Sequence, residues 1–307
     1  MIALAFGTAG GLALYNVHRT NAFFEPHSLL SRFPNEEATV LSVDVGLLRQ
    51  AGLLTPRSKA PLEADYKQFL DGTGFDYRRD LDSVVASFSS KGNFYIARGR
   101  FNWKKLRAYT ATQGGSCYRE LCRVQGSTPD RHISFLPLRD DAIAIAVSTN
   151  DLAATALATA GPPISAVLPT APAWVSIPGA ELRRPNTLPP DLRLMLSALQ
   201  TADRITLTIG PVPNAPEPPA TAPPATETAI EARLETTCRT PVDAGILISQ
   251  LRNTTTTLKE AVARDKEAQS DELARAIIAG TFAQSDRKVT GKWPIRPGLI
   301  ESLTAGI

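Results

Sequence analysis

Apolar residues along this chain follow two periods, every second residue and every third or fourth, and the same succession of the two occurs twice. Residues 39–45 alternate Leu41, Val43 and Val45 with Ser42 and Asp44, the pattern of a half-buried strand. Pro61 then opens a segment with Leu62, Tyr66 and Phe69 on one helical face, and Pro189 and Pro190 open another with Leu192, Leu196 and Leu199 at matching spacing. Each leads into a strand that starts at an aspartate: Asp82, Ser83 and Val84 run on to Phe88, and Asp203, Arg204 and Ile205 run on to Ile209.

Beyond these strands the first half predicts a second strand at residues 93–100. A helix capped by Asn102 and carrying Trp103, Leu106 and Tyr109 comes next. Strands near residues 117–124, 132–138 and 142–148 complete its sheet, and an Ala-rich helix starts at Asn150 or Asp151. After a Pro-rich joint, residues 161–172, the second half resumes with a strand at 173–177. Its strand at 229–236 sets Ile230, Ala232 and Leu234 against Glu231, Arg233 and Glu235. One face of such a sheet meets water, which points to antiparallel pairing with helices on the other face. Thr240 is placed to cap a helix, with Pro241 at its first position and Asp243 in its first turn; Leu247, Leu251, Leu258 and Val262 form its stripe. A helix with Leu273 and Ile277, a strand at 288–295 and a terminal helix from Pro297 follow.

The expected fold is α+β: two pseudo-repeated halves, residues 36–160 and 171–307, each a mainly antiparallel sheet with helices packed on one face. Residues 211–226 are rich in Pro and Ala and resemble an interdomain linker. The counterpart in the first half is the short turn at Ser89, Ser90, Lys91 and Gly92, so the segment reads as an overgrown hairpin loop within one sheet.

Residues 1–18 form a separate segment, joined by a connector at 19–35. Ile2 to Tyr15 holds no charged residue and is mostly Ala, Leu, Gly and Phe. A bilayer-spanning helix needs roughly 20 apolar residues, and a secretory signal needs a basic start and a small-residue cleavage site. Three readings stand: an uncleaved single-pass anchor, a signal sequence with a shortened basic region, and an ordinary buried helix. His18 and Arg19 flank the run on its C-terminal side.

The 307 residues are 43% hydrophobic and 21% charged, with 33 basic against 30 acidic side chains, ordinary for a folded protein and without a basic arm for nucleic acid. Three cysteines are present. Cys117 and Cys122 flank a predicted turn at a spacing that allows a disulfide, with two free thiols as the alternative; zinc would need a second Cys/His pair. Cys238 reads as a small core residue.

Catalytic chemistry is hard to find. The three histidines, His18, His27 and His132, stand near no Ser or Cys nucleophile at a recognisable spacing, and no phosphate-cradling glycine loop or His-Glu-x-x-His is present. No cofactor or metal site is expected. Asp76, Asp80 and Asp82 are spaced as calcium ligands, yet Arg78 and Arg79 between them would repel a cation, and Arg–Asp pairing in a helical turn is the better reading. Arg98, Arg100, Lys104 and Lys105 form the main local basic cluster, suited to an anionic partner or a lipid headgroup, or else a solvated face.

The runs Thr73-Gly-Phe-Asp-Tyr-Arg-Arg-Asp-Leu-Asp, Ala97-Arg-Gly-Arg-Phe-Asn-Trp-Lys-Lys-Leu, Gly114-Gly-Ser-Cys-Tyr-Arg-Glu-Leu-Cys-Arg and Phe135-Leu-Pro-Leu-Arg resemble uncharacterised predicted envelope proteins of acidobacterial type. The similarity runs from about residue 35 and is strongest before residue 150. It implies N-terminal anchorage and an extracytoplasmic body, and brings no activity or ligand with it. The function expected is therefore that of a non-catalytic, membrane-tethered envelope protein that binds a partner protein or surface component. The alternatives are a carrier for an apolar ligand or lipid, and an enzyme without a recognisable motif. A periplasmic or secreted protein freed by signal cleavage is the alternative location.

Overall fold

The computed structural model describes residues 23–34, 37–50, 64–162, 167–183, 198–212, 230–265 and 271–296. The expected N-terminal apolar helix, the stripe positions Leu62, Leu192 and Leu196, nearly all of the Pro-rich segment 211–226 and the terminal helix from Pro297 lie outside the described residues. Among the described residues no helix is long and apolar enough to cross a membrane.

The protein is α+β. In chain order come α1 (Pro26–Leu30), β1 (Thr39–Asp44), α2 (Val45–Gln50), α3 (Ala64–Thr73), α4 (Tyr77–Asp80), β2 (Leu81–Ser89), β3 (Gly92–Gly99) and α5 (Trp103–Thr112). Then come β4 (Ser116–Tyr118), β5 (Leu121–Gln125), β6 (His132–Arg139), β7 (Ala142–Ser148) and a 3-10 turn at Ala153–Ala158. The remainder is β8 (Ala173–Pro178), α6 (Gly179–Leu182), β9 (Ala202–Pro211), β10 (Ile230–Cys238), α7 (Pro241–Arg264), α8 (Glu272–Ile278), β11 (Thr281–Ser285) and β12 (Lys288–Ile295).

Two compact units result. One holds residues 1–36, 72–75 and 80–168, the other residues 37–71, 76–79 and 169–307. Residues 37–71 thus fall with the second unit and not with the first half, because β1 takes β8 as its antiparallel partner, Val40 opposite Ser176.

In the first unit the strand order is β2-β3-β7-β6-β5-β4, antiparallel at each step. Strand β7 is the centre of its core. Ala142, Ala144 and Ala146 have no exposed surface; Ala144 and Ala146 stand opposite Ile96 and Phe94 of β3 and Leu136 and Ser134 of β6. Their small side chains let the 3-10 turn press onto the sheet: the Ala154 amide donates to Ser134 Oγ at 3.1 Å, and Leu157 is fully buried. Helix α1 is laced to that turn through the Gly161 amide, which donates to the Ser31 carbonyl at 2.7 Å. Leu29 and Leu30 are buried with it. At Gly99 the backbone of β3 passes so near the Asp80 carbonyl that a Cβ would stand 2.3 Å from that oxygen, which leaves only glycine there.

In the second unit the order is β1-β8-β9-β10-β12-β11. Ile205, Thr236 and Val289 face one another across β9, β10 and β12, with Leu207, Leu234 and Gly291 in the next row. Leu247, Ile248 and Leu251 of α7 bury against this face. The opposite register carries Thr206, Glu235 and Thr290, then Thr208, Arg233 and Lys292, so the alternation read from β10 holds for its neighbours as well. A capping box starts α7: the Asp243 amide donates to Thr240 Oγ1 and the Thr240 amide to Asp243 Oδ2, both at 3.1 Å. The expected stripe on α7 ends early, however. Leu258 is 37% exposed, because 24 residues make a helix about 36 Å long, and its last turns run on past the residues that cover the sheet.

Strands β2-β3-β7-β6 and β9-β10-β12-β11 share one order: a hairpin, a helix, and a later hairpin whose last strand docks on the second. The Pro-rich segment joins β9 to β10, which pair directly from Pro211 opposite Ile230 to Ala202 opposite Cys238. A protease cut within residues 213–229 therefore leaves two fragments that co-elute in native size exclusion, since eight or more strand pairs hold them together. Separation of the fragments without denaturant would contradict the hairpin connection.

Candidate functional site

A group of aromatic and charged side chains forms around Phe23 and Phe24. Strand β6 ends in a register shift between Pro137 and Arg139, so that Arg139 stands opposite Ala142, the residue that Arg98 of β3 faces from the other side. A bulge of this kind re-aims a side chain, and here it brings two arginines from different strands to one end of the sheet. Asp141, in the turn between β6 and β7, forms an ion pair with both: Arg98 Nε lies 3.4 Å and Arg139 Nε 3.5 Å from its carboxylate. Phe23 and Phe24 meet edge to face with centroids 4.9 Å apart. Arg98 lies over Phe24 at 4.2 Å and Arg32 over Phe23 at 4.7 Å, with Arg139 at 5.3 Å from Phe23. Each such contact is worth about 0.5–1 kcal/mol when exposed and more when water is excluded.

A guanidinium stacked on a ring uses its face and keeps its in-plane N–H groups for acceptors. Arg32 donates from Nη1 to the Leu157 carbonyl at 3.3 Å and to the Ala158 carbonyl at 2.9 Å. Its Nε is buried with no hydrogen-bond partner among the described residues, and burial lowers its pKa from the ordinary arginine value. What this arrangement can do is bind an anion or anionic surface while fixing two aromatic rings; it assembles neither a nucleophile nor a proton-transfer pair.

The structure distributes the predicted basic cluster over several settings. Arg98 belongs to the site just described. Arg100 lies one residue beyond β3 and reaches Asp80 Oδ1 at 3.1 Å, with the aspartate side chain 10% exposed and the arginine 62%. Lys104 and Lys105 are exposed in the first turn of α5, where Asn102 caps the helix by accepting from the Lys105 amide. Tyr77–Asp80 form a helical turn and Leu81 and Asp82 already belong to β2; the buried Asp80 makes its ion pair with Arg100 across to the end of β3. Asp76 accepts instead from the Arg78 amide at 3.0 Å and from the Tyr66 hydroxyl at 3.2 Å. Burial, with the Asp76 carboxylate adding, pushes the Tyr66 hydroxyl up to about 12. Among the described residues no three His, Cys, Asp or Glu side chains gather as a metal site.

Cys117 and Cys122 stand opposite each other in β4 and β5 and form a disulfide, with Cα atoms 4.0 Å apart. The bridge clamps a two-residue turn in which Arg119 takes a left-handed φ of 53°, the conformation tight hairpins demand and non-glycine residues resist. Tyr118 beside it is 70% exposed. Cys238 is fully buried at the end of β10, and burial, with Asp243 and Asp203 adding, pushes its thiol pKa up.

No protein-family model matches the chain, and no curated protein does. Among solved structures it is similar to two crystal forms of TP0453. Form I is matched at a TM-score of 0.43 and 10% identity over 90% of this chain and 96% of that one. Form IV is matched at 0.41 and 8% over the same shares. Likeness this weak carries nothing about function.

Of the three cysteines, sequence spacing pointed to the bridged pair; the phenylalanine clamp was missed, because residues 19–35 read as a connector. The bridge fixes a labelling pattern. Iodoacetamide adds nothing to the native chain, one group after denaturation without reductant and three after reduction, as counted by mass spectrometry. Three groups without reductant would contradict the disulfide, and one on the native chain the burial of Cys238.

Proposed function

We propose that this chain is a non-catalytic, membrane-tethered envelope protein whose folded body binds a partner protein or surface component on the extracytoplasmic side. The observation that carries this reading is the clamp on Phe23 and Phe24. The uncharged run from Ile2 to Tyr15 ends a few residues before this pair. Arg32, Arg98 and Arg139 hold the rings against the body, eight positions after Tyr15, the last residue of that run. The disulfide between Cys117 and Cys122 supports an oxidising, extracytoplasmic setting for the body.

Binding is the favoured role because the conspicuous charged side chains serve architecture. Asp80 pairs with Arg100, Arg123 with Asp151 at 2.9 Å, and Arg239 with Asp203 at 3.2 Å. The common strand order of the two units supports descent from one duplicated module, a scaffold that offers two related surfaces. The exposed Tyr118 and Arg119 on their clamped turn suit partner contact, since tyrosine and arginine dominate interface energetics.

Fractionation of cells expressing the full chain tests the reading. The protein is expected in the membrane pellet, resistant to high salt and carbonate, and digestible by protease added to spheroplasts. Recovery in the soluble cytoplasmic fraction, or protection of the body from external protease, would contradict it.

A further inference from the structure

We propose that β11, the outer strand of the second unit, is a self-association edge: it pairs antiparallel with β11 of a second copy of this chain about a two-fold axis through Ala283. The proposal goes beyond the tether reading and does not depend on it.

The register of the β11–β12 hairpin determines which backbone groups point outward. Ser285 stands opposite Lys288 across the two-residue turn at Asp286 and Arg287. That closing pair exchanges hydrogen bonds, and pairs along an antiparallel ladder then alternate. Thr281, Ala283 and Ser285 thus turn their amides and carbonyls to β12, while Phe282 and Gln284 turn theirs outward. A contact from α7 agrees: Arg252 Nη2 donates to the Phe282 carbonyl at 3.1 Å. That carbonyl keeps a second lone pair, and among the described residues no strand lies beyond β11.

Edge strands that stay unpaired are commonly very short, or carry charge or proline. Strand β4, outermost in the first unit, has three residues and a disulfide to β5. Strand β11 has five, Thr-Phe-Ala-Gln-Ser, without charge or proline, and all but Phe282 are exposed. Exposed apolar side chains lie beside it. Gln284 Nε2 donates to the Pro241 carbonyl at 3.0 Å, and a Cβ on Gly245 would stand 3.8 Å from Gln284 Oε1. Val242 and Ile246, the next residues along α7, are 70% and 47% exposed.

A second copy fits this edge because the strand is its own complement. Pairing about Ala283 sets Phe282 opposite Gln284 and Thr281 opposite Ser285, opposes no like charges within the strand, and gives each outward amide a carbonyl. The same rotation puts both α7 helices on one face of the joined sheet, with Val242 and Ile246 bordering the junction.

The test uses the purified full chain in detergent solution. Its own thiols are bonded or buried. Ala283→Cys under a mild oxidant is expected to give disulfide-linked dimers, because a facing pair without mutual hydrogen bonds has Cα atoms about 4.5 Å apart, within disulfide reach. Glu235→Cys, exposed on β10 away from the edge, gives none. In sedimentation the wild-type chain is a dimer; Ala283→Asp and Ala283→Arg each lose it, as like charges meet on the axis, and mixing the two variants restores it. That rescue also shows both variants folded.

Equal linking through Glu235→Cys would overturn the proposal by showing random collision. A wild-type chain that is monomeric at every concentration would overturn it, as would dimers that survive both charged variants, which would place the contact elsewhere. Charged variants that dissociate without recombining would overturn the two-fold pairing. Oxidation in the expressing cells that links Ala283→Cys to a different protein in place of itself would overturn it in favour of a foreign strand. None of these outcomes bears on the membrane fractionation of the chain.

Discussion

The cation–π contact of guanidinium groups with Phe23 and Phe24 is the interaction on which the functional account depends. Cation–π contacts from strands β3 and β6, and from Arg32 just after α1, join Phe23 and Phe24 to the sheet of the first unit. Arginine suits the task because it attracts the ring through its face and still presents hydrogen-bond donors at its rim.

The joint exists only because the sheet delivers its arginines to one place. Arg98 and Arg139 flank Ala142, whose methyl group leaves room for both, and the register shift at Pro137 turns Arg139 toward its partner. Asp141 in the adjoining turn bridges the pair. The alanine-rich strand β7 serves packing and site together: the small side chains that admit the 3-10 turn at Ala153–Ala158 also bring that turn's carbonyls within reach of Arg32. Hydrophobic burial of Leu29, Leu30 and Leu157 then holds the backbone that carries these groups.

Local chemistry was legible in the sequence, and long-range chemistry was not. The cap at Thr240, the alternation of β10 and the cap at Asn102 depend on residues within a few positions of one another, and the structure shows each. Arg–Asp pairing was expected within the helical turn itself; Asp80 also reaches beyond it to Arg100, brought near because Leu81 lies opposite Gly99 where β2 and β3 begin and end. The clamp on Phe23 and Phe24 gathers side chains from three distant segments, so no local period announces it. The early end of the α7 stripe depends on where the sheet stops, which helical spacing does not encode.

A double-mutant cycle between Phe24 and Arg98 tests the joint most directly. Urea unfolding of the full chain would be measured for Phe24→Leu, Arg98→Gln, the pair and the wild type; the cycle cancels the effect of losing Asp141 from Arg98. The account predicts a favourable coupling of about 0.5–2 kcal/mol. A coupling indistinguishable from zero, with both single variants folded, would contradict it.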